Sequence, residues 1–150
     1  TRRSSDLSGV GASGLMQVMP NTASWIAKKI GLTDYKHQMI DQTDTNIRLG
    51  TFYLRYTLDL MSGQLAMATA AYNAGPGRAK KWAPKEPLEG AIYAETIPIS
   101  ETRLYVQKVL ANAYFYSSRL GTKAQTIKQR LGVIAASNTG VTVAAEELEN

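Results

Sequence analysis

Residues 64–74 constrain the fold more than any other segment, because they leave almost no polar face. A helix that is apolar all round is a buried one, so other helices must enclose it. Amphipathic segments suited to that role lie on both sides, at residues 44–61 and 101–120, and each is followed by a glycine at or just beyond its end. No strand-like alternation and no internal repeat is found. The sequence therefore predicts an all-α domain of about six helices.

The shorter elements follow from capping and breaking residues. Pro20 begins a helix that Gly31 ends, and Ser13 is suited to cap a short apolar turn over residues 14–18. The remaining segments are a short basic helix at 78–82 after a Gly-Pro-Gly break, an irregular stretch at 84–100, a helix that Ser100 caps, and a last helix at 122–131. Residues 1–13 read as a loop, and the order of residues 135–150 is left open.

Length, cysteine count and charge bound the function. A chain of 150 residues is one ordinary domain and can bury a sizeable core. It contains no cysteine, which excludes disulfide frameworks, cysteine-zinc sites and thiol nucleophiles. Charged and polar residues interrupt every apolar stretch well before the roughly 20 residues that a membrane span requires. The net charge of +5 favours an anionic partner without selecting one.

Several chemistries lack the side chains they need. The acidic residues that cluster, Glu86 with Glu89 and three glutamates in the tail, fall in predicted loops, and no metal site or cofactor is expected. His37 is the only histidine and lies in a polar connection, so a Ser/His/Asp triad cannot be argued. The basic cluster at residues 78–82, which includes Trp82, could contact nucleic acid, but the chain has no reading motif, and no nucleic-acid partner is expected.

Polar residues at three places, each beside glycines or at a helix end, are more informative. Tyr72 and Asn73 end the buried helix before two glycines that would allow close approach, as in a cleft wall, although Tyr72 could be a core aromatic and Asn73 a helix C-cap. Gln17 follows a permissive glycine loop, which could equally be a tight turn into a core helix. Glu101 opens a helix where the dipole favours an acid, so simple electrostatic capping would explain it.

Four short sequence blocks, taken together and in order, indicate a protein family. They are residues 11–20 (GASGLMQVMP), 46–54 (NIRLGTFYL), 70–77 (AAYNAGPG) and 95–106 (ETIPISETRLYV). In this order they resemble the successive motifs of the catalytic domain of soluble lytic murein transglycosylases. The resemblance extends from about residue 9 to residue 120, which is most of the chain.

The resemblance implies a lysozyme-like fold of the goose type that acts on peptidoglycan. It implies cleavage of the β-1,4 bond between N-acetylmuramic acid and N-acetylglucosamine with formation of a 1,6-anhydro sugar. Residues 1–134 would be the catalytic domain without its N-terminal helix, and residues 135–150 a C-terminal tail. The implied partners are peptidoglycan glycan strands and an upstream helical solenoid domain of the same protein. The implied location is the bacterial periplasm, with outer-membrane association as a further expectation and no transmembrane segment.

The resemblance also assigns roles to individual positions. Tyr72 would hold the geometry of the catalytic carboxyl, and Glu101 would be a second acid in the cleft. Residues that would contact the glycan are Gln17, Met19, Asn73, Arg103 and Tyr105, together with a site-supporting serine, Ser8, for which Ser4 and Ser5 are alternatives.

One part of the family pattern is missing. The family's catalytic Glu, followed by Ser, lies about a dozen residues before the Gly-Ala-Ser-Gly loop, and counting back from Gly11 runs past Thr1. Asp6 is the only acid before the loop and is a poor substitute. A polypeptide of these residues alone is therefore expected to be inactive. The alternative hypothesis is a non-catalytic glycan-binding or scaffold protein of the same fold.

Overall fold

The computed structural model describes residues 11–121 and 125–137. Within them the chain is helical, with one very short two-stranded sheet, which confirms the predicted all-α class. The described residues divide after Arg55 into two compact units, which we call unit 1 and unit 2.

Unit 1 contains the loop before the first helix and three helical segments. These are α1 (Pro20–Lys29), a 3-10 helix (His37–Asp41) and α2 (Thr43–Leu60), whose last residues belong to unit 2. Proline occupies the first turn of α1, where its missing N–H costs nothing, and Lys28 and Lys29 lie in the last turn, where the helix dipole favours cations. Gly31 follows with a φ of 71°, so the predicted helix end is confirmed.

Unit 2 is built around α3 (Leu65–Ala74). The other elements are α4 (Pro76–Lys81), β1 (Leu88–Glu89), α5 (Gly90–Thr96), α6 (Ser100–Arg119), α7 (Ile127–Leu131) and β2 (Val133–Ile134). Helix α3 packs against α4, α5 and α6, and every residue from Ala66 to Ala71 is buried. The prediction of a buried central helix is therefore confirmed, and small side chains allow its neighbours to approach closely.

Four local predictions need correction. The stretch predicted as irregular contains α5, and β1 pairs antiparallel with β2 through Leu88–Ile134 and Glu89–Val133. Helix α4 begins at Pro76, because proline is tolerated in a first turn. Ser100 is the first residue of α6 and not its cap, which is Ile99. The last helix covers only Ile127–Leu131, while residues 122–124 lie outside the described residues.

The sheet is missed because long-range contacts hold it. The backbone N–H of Gly90 donates to the Gly132 carbonyl (2.9 Å), and a Cβ on Gly90 would lie 2.8 Å from the Leu131 carbonyl oxygen. A strand of two residues has no periodicity of its own. The proposed boundary at residue 134 stays a prediction, and most of the tail beyond it, residues 138–150, lies outside the described residues.

Candidate functional site

The loop that precedes α1 presents Gln17 and Met19. Ser13 and Val18 exchange two backbone hydrogen bonds of 3.0 Å, so residues 14–17 form a closed turn. Gln17 has a φ of 50°, and its Nε2 donates to the Gly14 carbonyl (2.8 Å). The turn therefore fixes an exposed amide at a strained position, next to Met19, which is 45% exposed. Ser13, predicted as a cap, instead donates a hydrogen bond to Asp41.

A buried amide on α2 holds this loop in place. Asn46 is fully buried, and its Oδ1 accepts a hydrogen bond from the Met16 N–H (2.7 Å). Its Nδ2 donates to the carbonyls of Ser13 and Ile40, both at 2.9 Å. The amide thus uses both of its donor hydrogens and its oxygen, and it ties the loop and the 3-10 helix to α2.

Two glycines allow the loop to lie this close to α2. A Cβ on Gly14 would stand 2.3 Å from the Asn46 amide, and one on Gly50 would stand 2.3 Å from the Met16 side chain. Sequence reasoning included Asn46 and Gly50 in a family motif but gave them no role. Their spacing could have indicated that role, because positions i and i+4 lie on the same face of a helix. Here one position of that face carries the small polar side chain of Asn46, and the other is a glycine, which leaves room for the loop.

In unit 2, the end of α3 carries Tyr72 and Asn73. Tyr72 is half-buried and Asn73 is exposed. Gly75, not Asn73, is the C-cap of α3, with a φ of 90°. The glycine is needed for that conformation and not for close approach, since in the described part of the chain no atom lies within 4 Å of the position of a Cβ on Gly75.

The start of α6 carries the other predicted residues. Glu101 is exposed in the first turn of the helix, where the dipole favours an acid. Arg103 is half-buried, and its guanidinium donates to the Ile97 carbonyl (2.8 Å) and to Ser100 Oγ (3.4 Å), so it also closes the connection from α5 to α6. Tyr105 packs against the core of unit 2, and burial raises its pKa.

Most of the predicted site residues therefore lie on two helices that pack against each other, α3 and α6. Because α3 packs against α6, the helix that carries Tyr72 and Asn73 lies against the helix that carries Glu101, Arg103 and Tyr105. Gln17 and Met19 belong to unit 1. Ser8 and its alternatives Ser4 and Ser5, as well as Asp6, lie outside the described residues.

Other kinds of site find no support in the described residues. Among residues 11–121 and 125–137 no cluster of three or more acidic or histidine side chains could hold a metal ion. Every helix in these ranges is too short or too polar to cross a membrane. His37 opens the 3-10 helix and is exposed.

Two protein-family models match this chain, and together they cover the predicted site residues from Ser8 to Tyr105. The model of the transglycosylase SLT domain matches residues 4–92, and that of the soluble lytic transglycosylase helical domain matches residues 96–125. The soluble lytic murein transglycosylase of Salmonella typhimurium is 42% identical over 119 residues, which are 77% of this chain and 18% of the relative.

Solved structures agree with the sequence relatives. An inactive glutamate-to-glutamine mutant of the lytic transglycosylase Slt from Pseudomonas aeruginosa is 42% identical, with a TM-score of 0.77 over 85% of this chain and 21% of that chain. The 70 kDa soluble lytic transglycosylase SLT70 from Escherichia coli is 38% identical, with a TM-score of 0.69 over 83% of this chain and 20% of that chain.

The matches cover most of this chain but only a small part of each relative. The chain spans about a fifth of the length of the relatives it matches. Its fold is that of their lysozyme-like transglycosylase domain, which confirms the predicted architecture. Since the SLT model covers more than half of the residues, the chain belongs to the transglycosylase SLT domain family.

Proposed function

We propose that the chain is the catalytic domain of a lytic murein transglycosylase, which cleaves the β-1,4 bond between N-acetylmuramic acid and N-acetylglucosamine. The observation that carries the proposal is the packing of α3 against α6 within unit 2. It joins the helix whose last turn carries the half-buried Tyr72 to the helix whose first turn carries the exposed Glu101. A phenol and an acid on two packed helices are the side chains that this reaction needs around its proton donor.

The reaction uses one carboxyl group twice. As an acid it protonates the glycosidic oxygen while positive charge develops on the muramic acid ring, and the N-acetylglucosamine leaves with that proton on its 4-oxygen. The resulting carboxylate then removes the proton of the muramic acid 6-hydroxyl, and the 6-oxygen bonds to the anomeric carbon. The product is a 1,6-anhydro sugar, and no water is consumed.

The acid and base is a glutamate, which we place on sequence preceding Thr1. The inactive glutamate-to-glutamine mutant of the P. aeruginosa relative supports an essential glutamate. Such a group must stay protonated near neutral pH, which burial against apolar neighbours achieves by penalising the charged form. Removing a positioned general acid costs about two to four decades in rate, so residues 1–150 by themselves would be inactive.

The remaining site residues position that carboxyl or hold the glycan. Tyr72 combines a rigid ring with a polar tip, so its hydroxyl can fix the carboxyl by a hydrogen bond. Glu101 accepts hydrogen bonds from a sugar hydroxyl or N-acetyl group. The residues that contact the glycan strand are Gln17, Met19, Asn73, Arg103 and Tyr105, with Ser8 supporting the site.

The same proposal covers location and partners. Peptidoglycan strands are the substrate, and a helical solenoid domain of the same protein is the partner, in line with the match of residues 96–125 to the helical domain model. Reaction on the cell wall implies a periplasmic or extracellular location, of which we propose the bacterial periplasm. Attachment to the outer membrane is a further proposal. The reaction needs only protein side chains and no cofactor.

The test is digestion of purified sacculi by the full-length protein, with the products analysed by mass spectrometry. We expect anhydro-muropeptides. Tyr72→Phe should lower kcat about 10- to 100-fold, because the lost contact to the carboxyl is worth about 1.5–3 kcal/mol. Tyr114→Phe is the matched control, because it removes the same hydroxyl from an exposed position of α6.

Each other outcome would contradict part of the proposal. Products with reducing ends only would make the protein a lysozyme. Binding of glycan strands without any cleavage would make it a glycan-binding protein that has lost the acid. A Tyr72→Phe variant as active as Tyr114→Phe would remove Tyr72 from the site.

A further inference from the structure

After β2 the chain runs back alongside the segment that precedes β1. The two strands are antiparallel, with Leu88 opposite Ile134. Further along in the same direction, the backbone N–H of Ser137 donates to the Pro84 carbonyl (2.9 Å). In an antiparallel arrangement one segment rises in residue number as the other falls. The chain at Ser137 is therefore directed toward the C-terminal end of α4.

The core of unit 2 holds this part of the chain in place. Leu131 and Ile134 are buried members of that core. Ser137 lies three residues beyond Ile134 and is tied to Pro84 by its own hydrogen bond. The point from which residues 138–150 start is therefore fixed on unit 2.

The Pro84 contact lies within a run of basic residues. Between residues 78 and 86 there are four basic residues and a single acid, Glu86. We call the four basic side chains the α4 basic surface: Arg78, Lys80, Lys81 and Lys85.

Helix α4 directs most of these charges outward. Ala79 is buried and Trp82 packs against the core of unit 2, so residues spaced by three form the inner face. Arg78 and Lys81, which are also spaced by three, are both exposed. Lys85 continues the exposed charge beyond the helix, so these cations are accessible to a ligand.

The lysines of this surface are not neutralised by the part of the chain that the structure describes. Neither Lys81 nor Lys85 takes part in an ion pair with any described residue. By contrast, the Lys128 ammonium of α7 lies 3.7 Å from the Glu89 carboxylate. Exposed like charges in one short segment repel each other, and a nearby group of carboxylates would relieve that repulsion.

Residues 138–150 have the complementary charge. They contain three acids, Glu146, Glu147 and Glu149, and no lysine or arginine. We propose that these glutamates bind the α4 basic surface of the same chain. The inference stands apart from the proposed function, because it uses only the charges and the course of the chain.

The tether between the two groups is long enough to permit this contact and short enough to favour it. Glu146 is nine residues beyond Ser137, which corresponds to a reach of at most about 30 Å. Helix α4 is about 9 Å long, because its six residues rise about 1.5 Å each. A short linker holds ligand and site at an effective concentration in roughly the millimolar range. Exposed ion pairs that are individually weak can therefore act together within one chain.

Nucleic acid explains fewer of these observations. Single-stranded nucleic acid is bound by basic grooves with aromatic rings on which bases stack. The aromatic residue of this segment, Trp82, instead packs against the core of unit 2. A nucleic-acid ligand also gives no reason for the course of the chain at Ser137 toward α4.

The first experiment asks which groups are in contact. Full-length protein is treated with a carbodiimide, which joins an ammonium group to a carboxylate only when the two touch, and mass spectrometry identifies the linked peptides. At low salt we expect links from Lys81 and Lys85 to the three glutamates. Lys28 and Lys36, exposed in unit 1, are internal controls and should give no such links. A mixture of isotopically light and heavy protein distinguishes links within one chain from links between copies.

The second experiment asks whether the charges hold the segment. A glutamyl endopeptidase cleaves after each of the three glutamates, and a bound segment is cleaved more slowly than a free one. We expect Lys81→Gln with Lys85→Gln to raise the cleavage rate about three- to tenfold, because each exposed ion pair contributes modestly. Lys28→Gln with Lys36→Gln is the matched control and should be cleaved as slowly as wild type.

Salt provides a further check on the same assay. Wild type should approach the cleavage rate of the Lys81→Gln, Lys85→Gln variant at about 0.5 M salt, because salt screens exposed charges. A synthetic peptide of residues 138–150 corrects for the effect of salt on the protease itself.

Three results would overturn the proposal. The first is a variant that is cleaved no faster than wild type. The second is a set of links that reaches Lys28 and Lys36 as often as the α4 basic surface. The third is a set of links that joins only different copies of the chain, which would make the contact intermolecular.

Discussion

A buried amide in unit 1 and a buried hydroxyl in unit 2 differ in their hydrogen bonding. In unit 1 the buried amide of Asn46 makes three hydrogen bonds, to Ser13, Met16 and Ile40. In unit 2 the hydroxyl of Tyr93, inside the apolar core, has no hydrogen-bond partner in the described part of the chain. A satisfied buried group fixes a structure, whereas an unsatisfied one costs free energy.

The comparison indicates what each unit contributes. Unit 1 must hold an irregular loop in a single conformation, and hydrogen bonds are directional enough for that purpose. Unit 2 must bring helices together, and small apolar side chains such as those of Ala70 and Ala71 allow it. The loop that presents Gln17 therefore depends on one polar residue, whereas the ends of α3 and α6 depend on many weak contacts.

The largest expected effect is at Asn46. We expect Asn46→Leu to lower the free energy of unfolding by about 3–5 kcal/mol, because it removes the three hydrogen bonds of a fully buried amide, to the Met16 N–H and to the carbonyls of Ser13 and Ile40, although the Ser13 carbonyl keeps its bond from the Val18 N–H. Hydrogen exchange should show lost protection first in residues 13–18, and chemical denaturation gives the free energy. Asn21→Leu, at an exposed position of α1, is the control and should change stability by about 0.5 kcal/mol or less. Equal effects of both substitutions would mean that Asn46 does not hold the loop.

A smaller effect is expected in the core of unit 2. Ala70→Val adds two carbons to a fully buried position and should cost about 1–3 kcal/mol by overpacking. The same substitution at the exposed Ala111 of α6 is the control. Denaturant unfolding measures both variants, and hydrogen exchange should locate the loss in α3 and α6 while residues 13–18 stay protected. Loss of protection in residues 13–18 would instead show that the two units do not respond separately.

The smallest effect, and one that depends on pH, is at Tyr93. Burial raises the pKa of Tyr93 to about 12. In the unfolded chain the phenol ionises near pH 10, so the stability that this group contributes is present below pH 10 and is lost as the pH rises toward 12. Tyr93→Phe should leave stability at neutral pH unchanged or slightly higher, because the removed hydroxyl has no partner, and it should flatten the alkaline decline.

Thermal or denaturant unfolding at neutral pH and between pH 9 and 12 checks this prediction. Tyr114→Phe, at an exposed tyrosine, should leave the alkaline decline as steep as in wild type. A strongly destabilised Tyr93→Phe at neutral pH would contradict the prediction, since it would mean that the hydroxyl makes a stabilising contact.

Most of the helices could be predicted from local signals. Helix α3 follows from its lack of a polar face, and α1 from Pro20 and Gly31. Helix α5 and the sheet could not, because they are held by contacts of distant residues such as Gly90 with Gly132. The proposed site residues come from the family resemblance and stay predictions, whereas the part played by Asn46 was not predicted, since an amide in a helix has no distinctive pattern until its partners are known.

The sequence by itself determined the helical class, the buried central helix and the family, because periodicity, caps and ordered motifs are properties of neighbouring residues. Only the tertiary structure decided that Asn46 holds the Gln17 loop against α2, and that Arg78 and Lys81 are exposed while Trp82 is packed against the core of unit 2. These facts depend on atoms far apart in the chain, and the direction of a side chain is fixed only when its neighbours are in place.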